Sequence, residues 1–201
     1  MSAFPLCIPM KAKTVILIGT GPLLTEKIEK LLPFDAALHI YTADALLQYQ
    51  EYECITLHHE PFTEDVLSTM PVFVVSAGLP VSEAEQIGML CKKKNIPFNA
   101  VDLTALCTFF FPAMICRGDC TIAVSTDGKS PAIAVRLREQ IESILPDELD
   151  TILDWASTLR STLPVTDPAR RRMILKRAIT EAMELGRPLT DAELADFTEE
   201  K

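Results

Sequence analysis

The sequence predicts an α/β chain: a doubly wound parallel sheet of Rossmann type, then a β-hairpin and helix acting as a dimerisation segment, then a helical C-terminal domain. Three observations predict it. Residues 14–18, Thr-Val-Ile-Leu-Ile, form an unbroken apolar run ending at Gly19, the mark of a strand covered on both faces in a parallel sheet. Strand-like and helix-like segments then alternate as far as Phe111, the order that builds βαβ units. Beyond Phe111 two β-rich runs are followed only by helical patterns.

The elements follow in order. The turn Gly19-Thr20-Gly21-Pro22 leads into residues 23–32, where Leu24, Ile28, Leu31 and Leu32 recur at helical spacing until Pro33 stops them. Residues 37–41 form a second strand, and a right-handed crossover joins the two. Cys54–Leu57 reads as a short strand and Val72–Ser76 as a stronger one. Ser82 opens a helix to about Lys94, with Glu85 completing a capping box. Ile96–Val101 is the next strand, ending at Asp102. Pro112–Cys116 and Cys120–Ser125 flank a turn at Arg117-Gly118-Asp119, and a helix from about Ala132 to Leu145 follows a polar loop. Helices separated by Pro164, Pro168 and Gly186-Arg187-Pro188 occupy the remainder. The expected domains are 1–111, 112–145 and 146–201. A hairpin plus one helix is too small to fold alone, so a second copy of the chain is expected to complete it as a two-fold dimer.

Composition narrows the function. With 48% hydrophobic and 23% charged residues, the 201-residue chain can bury a sizeable core. Its 28 acidic against 19 basic residues give a net charge of −9, which disfavours nucleic acid as a partner because phosphates need a basic footprint. Residues 1–10 lack the basic run and apolar stretch of a signal peptide. No apolar run approaches the ~20 residues of a membrane span. A soluble cytoplasmic protein with no membrane partner is expected. The six cysteines include no CxxC pair; Cys116 and Cys120 make half a zinc site or, more simply, small reduced apolar side chains. No metal ligands are assigned.

Three places carry chemistry. Gly19-Thr20-Gly21 lies between a strand and a helix, where glycines allow a tight turn and a close approach of pyrophosphate to backbone N–H groups. Pro22 removes one such donor, and Leu24 stands where a small residue usually lets helix and strand pack closely. About twenty residues on, in Tyr41-Thr42-Ala43-Asp44, Asp44 is either the acceptor for a ribose hydroxyl or the N-cap of the next helix. Asp102 ends a sheet strand, so it either faces the ligand crevice as an acid–base group or caps the turn before Thr104. Ser125-Thr126-Asp127-Gly128-Lys129-Ser130-Pro131 opens a helix. It is either a site for an anion, with Arg117 adding a forked contact, or a plain connecting loop.

Together these stretches resemble the precorrin-2 dehydrogenase and sirohydrochlorin ferrochelatase family, the N-terminal region of siroheme synthase. The resemblance rests on Phe4-Pro5-Leu6, on Val15–Gly21, on Asn99-Ala-Val-Asp102, and on Leu106–Phe109 with Phe111–Ala113. It is strongest in Thr121–Pro131 and Arg136–Glu139, and it covers roughly residues 4–160. It implies oxidation of precorrin-2 to sirohydrochlorin with NAD as hydride acceptor, by a homodimer, some members also inserting Fe2+. It implies a catalytic role for Asp102. The cofactor falls on Gly19, Thr20, Gly21, Pro22, Leu23, Thr42, Asp44, Ala77 and Gly78. The substrate falls on Arg117, Ser125, Thr126, Gly128, Lys129 and Ser130. The chain departs from the family at Thr20, where the family has a middle glycine, and at Leu23-Leu24 and Glu26-Lys27. It departs again at Ala77-Gly78, where Ala-Thr-Asp is common. All of these lie on the cofactor side, so the alternative is a chelatase-only or tetrapyrrole-binding protein with an eroded NAD site. His58 and His59 point to opposite sides of a strand, which suits surface histidines better than metal delivery.

Overall fold

The computed structural model describes residues 4–199, and the chain divides into two compact units that meet at Phe111 and Pro112. The first unit contains β1 (Thr14–Gly19), α1 (Gly21–Leu31), β2 (Ala37–Tyr41), β3 (Ile55–His58), β4 (Phe73–Ala77), α2 (Val81–Lys93) and β5 (Phe98–Ala100). The strands form one five-stranded sheet in the order β3-β2-β1-β4-β5, every pair parallel.

The apolar run of β1 explains this architecture. Val15 and Leu17 face Leu24, Ile28 and Leu31 of α1, whereas Ile16 and Ile18 face Ala84, Ile87 and Cys91 of α2. Alternate side chains of a strand point to opposite faces, so a strand sandwiched between helices must be apolar throughout. Val15, Ile16 and Leu17 are fully buried, and each such side chain contributes roughly 1.5–3 kcal/mol of burial free energy.

Several boundaries differ from the sequence reading. The second helix begins at Val81 rather than Ser82. Pro80 takes the cap position, its carbonyl accepting from the N–H groups of Glu83 and Ala84, and no Ser82–Glu85 box forms. The fifth strand is only Phe98–Ala100, because Pro97 has no N–H to donate and pairs through its carbonyl with Val74 alone. Between β3 and β4 the chain makes a 3-10 helix, Glu64–Thr69.

The second unit opens with the antiparallel pair β6 (Ala113–Arg117) and β7 (Cys120–Val124). Arg117 pairs with Cys120, so the turn itself is Gly118-Asp119, with Gly118 at φ +50°. Next come α3 (Pro131–Glu142), α4 (Leu149–Thr162), α5 (Pro168–Leu185) and α6 (Asp191–Glu199). Ile152, Leu159, Ile174, Ala178 and Ala182 form a core among the last three helices. Asp167 caps α5 through Ala169 and Arg170, and Gly186 in the left-handed region ends it. Thr190 and Glu193 form a reciprocal capping box at the start of α6. Among the described residues no helix is long and apolar enough to cross a membrane.

Candidate active site

All five strands run the same way, so the C-terminal ends of β1, β2, β4 and β5 emerge at one edge of the sheet. The strand order reverses at β1 and β4, and such a switch point leaves a crevice in open α/β sheets. A cavity of about 460 Å³ opens there, with Gly19, Thr20, Thr42, His59 and Glu83 in its walls.

The glycine turn and the end of β4 are locked together. A Cβ on Gly19 would lie 1.7 Å from the Ala77 carbonyl oxygen, and one on Gly78 would lie 2.3 Å from that of Thr20. The N–H of Thr20 donates to the Ala77 carbonyl at 3.1 Å, and its hydroxyl donates to the Gly78 carbonyl at 3.4 Å. Gly21 differs: at φ +72° it has nothing within 4 Å of its Cβ position. The surface above it is open.

Asp44 belongs to this turn. Its Oδ2 accepts from the Gly21 N–H at 2.7 Å, and its own N–H donates to the Thr42 hydroxyl at 3.1 Å. It caps no helix of its own strand–helix connection, since the 3-10 turn Leu47–Tyr49 starts from Leu46. Gly19, Thr20, Gly21, Thr42, Asp44, Ala77 and Gly78 thus form one constellation, with Pro22 and Leu23 in the first turn of α1. Of these, only Gly19, Thr20 and Thr42 line the cavity itself.

Asp102 follows β5 with an exposed side chain and φ +64°. It is not the cap of the turn at Thr104–Leu106, whose cap position is Leu103. In the second unit, Arg117 pairs with Glu142 at 3.0 Å. The Ser125 hydroxyl accepts from Asp127 N–H, that of Thr126 from Ser130 N–H, and that of Ser130 from Ile133 N–H as the N-cap of α3. Gly128, at φ +73°, has open space at its Cβ position, and Lys129 is exposed. The loop is therefore shaped by its own hydroxyls.

The sequence reading took His59 for a surface histidine, whereas it lies in the cavity wall, and it missed Glu60, Phe62, Glu83 and Gln86 there. They follow β3 or begin α2, so inspection of every strand's C-terminal end would have found most of them. His39 Nδ1 and His58 Nε2 lie 3.1 Å apart, and His58 Nδ1 lies 3.0 Å from Glu60 Oε1. Burial, then the neighbouring His58 charge, holds the His39 pKa below its ordinary value. The Glu60 carboxyl is also held low, first by its own backbone N–H and then by His58. His59 Nδ1 turns instead to the Thr42 carbonyl at 3.2 Å. Among the described residues no three His, Cys, Asp or Glu side chains are grouped to hold a metal.

A nucleotide-binding Rossmann unit is the class that this sheet, switch point and glycine turn define. Residues 6–113 match a family model described as "Putative NAD(P)-binding", and residues 117–144 match one described as "Sirohaem biosynthesis protein central". The chain is similar to the siroheme synthase of Pseudoalteromonas translucida, 29% identical over 164 residues, which are 80% of this chain and 34% of that protein. Siroheme synthase 1 of Pectobacterium atrosepticum is 29% identical over 179 residues, 86% of this chain and 37% of that protein. The chain spans about a third of the length of these relatives. A solved structure titled "SirC, precorrin-2 dehydrogenase" shares the fold, with a TM-score of 0.70, 20% identity and 98% of each chain covered. The chain belongs to the NAD(P)-binding family found as the N-terminal region of siroheme synthases.

Proposed function

We propose that the chain oxidises precorrin-2 to sirohydrochlorin with NAD+. The observation that carries this reading is that the open glycine turn with Asp44 and the strand-end Asp102 emerge at the same edge of one parallel sheet. The residues fit a dinucleotide: Gly21 leaves its approach clear, the cavity beside it is large enough for a nucleoside, and Asp44 keeps one carboxylate oxygen for a ribose hydroxyl. When bound, the nicotinamide supplies the hydride acceptor. Gly19, Thr20, Pro22, Leu23, Ala77 and Gly78 shape the cradle, and Thr42 orients Asp44. Glu60, Glu64 and Glu83 in the cavity wall, with Asp44 at the glycine turn, place negative charge there, which disfavours the additional phosphate of NADP+.

Asp102 takes the proton released as the substrate carbon is oxidised. Its exposure at a strand end suits a group that must meet a large ligand. Arg117, Ser125, Thr126, Gly128, Lys129 and Ser130 hold the carboxylate rim of the tetrapyrrole, with the positive end of α3 and Lys129 as the attraction. Exposed Ile133 and Leu137, four residues apart on one side of α3, supply an apolar patch for a second copy. Six free thiols suit a reducing cytoplasm.

The test is anaerobic NAD+-dependent formation of sirohydrochlorin, followed by absorbance. Turnover that loses most of its rate in Asp102→Ala, with a measurable residue, supports the reading; turnover unchanged in that variant removes the role given to Asp102. One observation favours a second reading, a chelatase or tetrapyrrole-binding protein without cofactor. Asp44 holds the Gly21 N–H, Ala77 holds that of Thr20, and Pro22 has none, which leaves few donors for a pyrophosphate. Calorimetry separates the two: sirohydrochlorin binding without any heat from millimolar NAD+ would establish the second.

A further inference from the structure

The proposed catalytic carboxylate stands on a loop whose neck is tied shut by three side chains. β5 is an edge strand, paired with β4 on one side only. Pro97 and Val101 bond toward β4, through Val74 N–H and the Ser76 carbonyl, so the backbone groups of Phe98 and Ala100 face outward. The chain returning from Asp102 satisfies them. Thr108 Oγ1 accepts from Phe98 N–H at 2.8 Å and donates to the Phe98 carbonyl at 3.3 Å, and Thr108 N–H donates to the same carbonyl at 2.8 Å. Cys107 Sγ accepts from Ala100 N–H at 3.3 Å and donates to the Ala100 carbonyl at 3.2 Å. Asn99, buried within β5, donates through Nδ2 to the Phe109 carbonyl at 2.9 Å and to Cys107 Sγ at 3.5 Å.

Between these ties lies Asp102 in the left-handed region. Asp adopts this backbone more readily than most non-glycine residues, so the direction of its carboxylate depends on how firmly the neck of the loop is held. We propose that Asn99, Cys107 and Thr108 are positioning residues that set the direction of the Asp102 carboxylate. This rests on the proton-transfer role given to Asp102. The side-chain clamp also covers the outer edge of β5, which a plain strand would leave unpaired.

The experiment is a double-mutant cycle in the precorrin-2 oxidation assay, with Thr108→Val and Asn99→Ala each made alone and in the Asp102→Ala background. Thr108→Val is expected to lower kcat roughly tenfold, with KM for NAD+ and precorrin-2 changed less than about twofold. Thr108→Ser, which keeps the hydroxyl, restores the rate. In the Asp102→Ala background neither clamp variant slows the reaction further. Equal slowing with and without Asp102, or Thr108→Val and Asn99→Ala both at the parent rate, overturns the proposal. An Asp102→Ala variant at full rate removes instead the role of Asp102. Melting temperatures of all variants identify any that fails to fold, and Thr108→Ser against Thr108→Val then decides the matter within the folded set.

Discussion

The Asp44 carboxylate accepts a 2.7 Å hydrogen bond from the Gly21 N–H, joining residues 23 apart in the chain. It ties the end of β2 to the first residue of α1, the place where a helix offers unpaired N–H groups. An anion supplied by the chain itself thus occupies one donor of the glycine turn.

Replacing Asp44 by Ala should weaken NAD+ binding by about tenfold to a hundredfold, since a hydrogen bond to a charged group contributes about 1.5–3 kcal/mol. Titration calorimetry measures it. An unchanged or tighter Kd would show that the carboxylate competes with the cofactor rather than holding it.

Gly21→Ala and Gly78→Ala should separate binding from folding. A methyl on Gly78 meets the Thr20 carbonyl at 2.3 Å, so that variant should lose about 3 kcal/mol or more of stability in urea unfolding. A methyl on Gly21 meets nothing; that variant should lose only about 1 kcal/mol from its left-handed backbone but block the approach of the cofactor. Equal stability of the two variants would contradict the close approach of Gly78 to Thr20.

Asp102→Asn should keep the fold and lose the chemistry. Asn tolerates φ +64° as Asp does, so the melting temperature should move by no more than about 2 °C, while the rate falls roughly a hundredfold for want of a proton acceptor. A large loss of stability would mean that the carboxylate charge itself sustains the turn.

The capping box of α6 should respond to acid. Arg187 above all, with the backbone N–H and hydroxyl of Thr190, pulls the Glu193 carboxyl from 4.5 down to about 2. A carboxyl lowered in the folded state stabilises it fully above the ordinary value and loses that effect as pH falls toward the folded value. Helicity of α6, followed by NMR, should therefore decline between about pH 4.5 and 2. Glu193→Gln should abolish that pH dependence, and a helix indifferent to pH in the parent would refute the assignment.

The alternation of apolar runs, the positions of β1, β4 and the helices, and the glycine turn were all legible in the sequence, because burial on both faces forces an unbroken apolar strand and a helix forces its own spacing. Pro80 and Pro97 set boundaries that propensity placed a residue or two away, since one proline supplies a cap carbonyl and the other withholds a donor. The partners of Asp44 and Thr108 were not legible. Nothing local to residue 44 points to Gly21, and nothing local to residue 108 points to Phe98.

By itself the sequence determined the layered α/β architecture of the first unit and where along the chain its chemical residues lie, because those depend on periodicity over a few residues. Only the tertiary structure decided that Asp44 fills a donor of the glycine turn, that Arg117 already has Glu142, and that the loop of Asp102 is clamped to β5. Those contacts join residues distant along the chain, and only the folded sheet sets the distances between them.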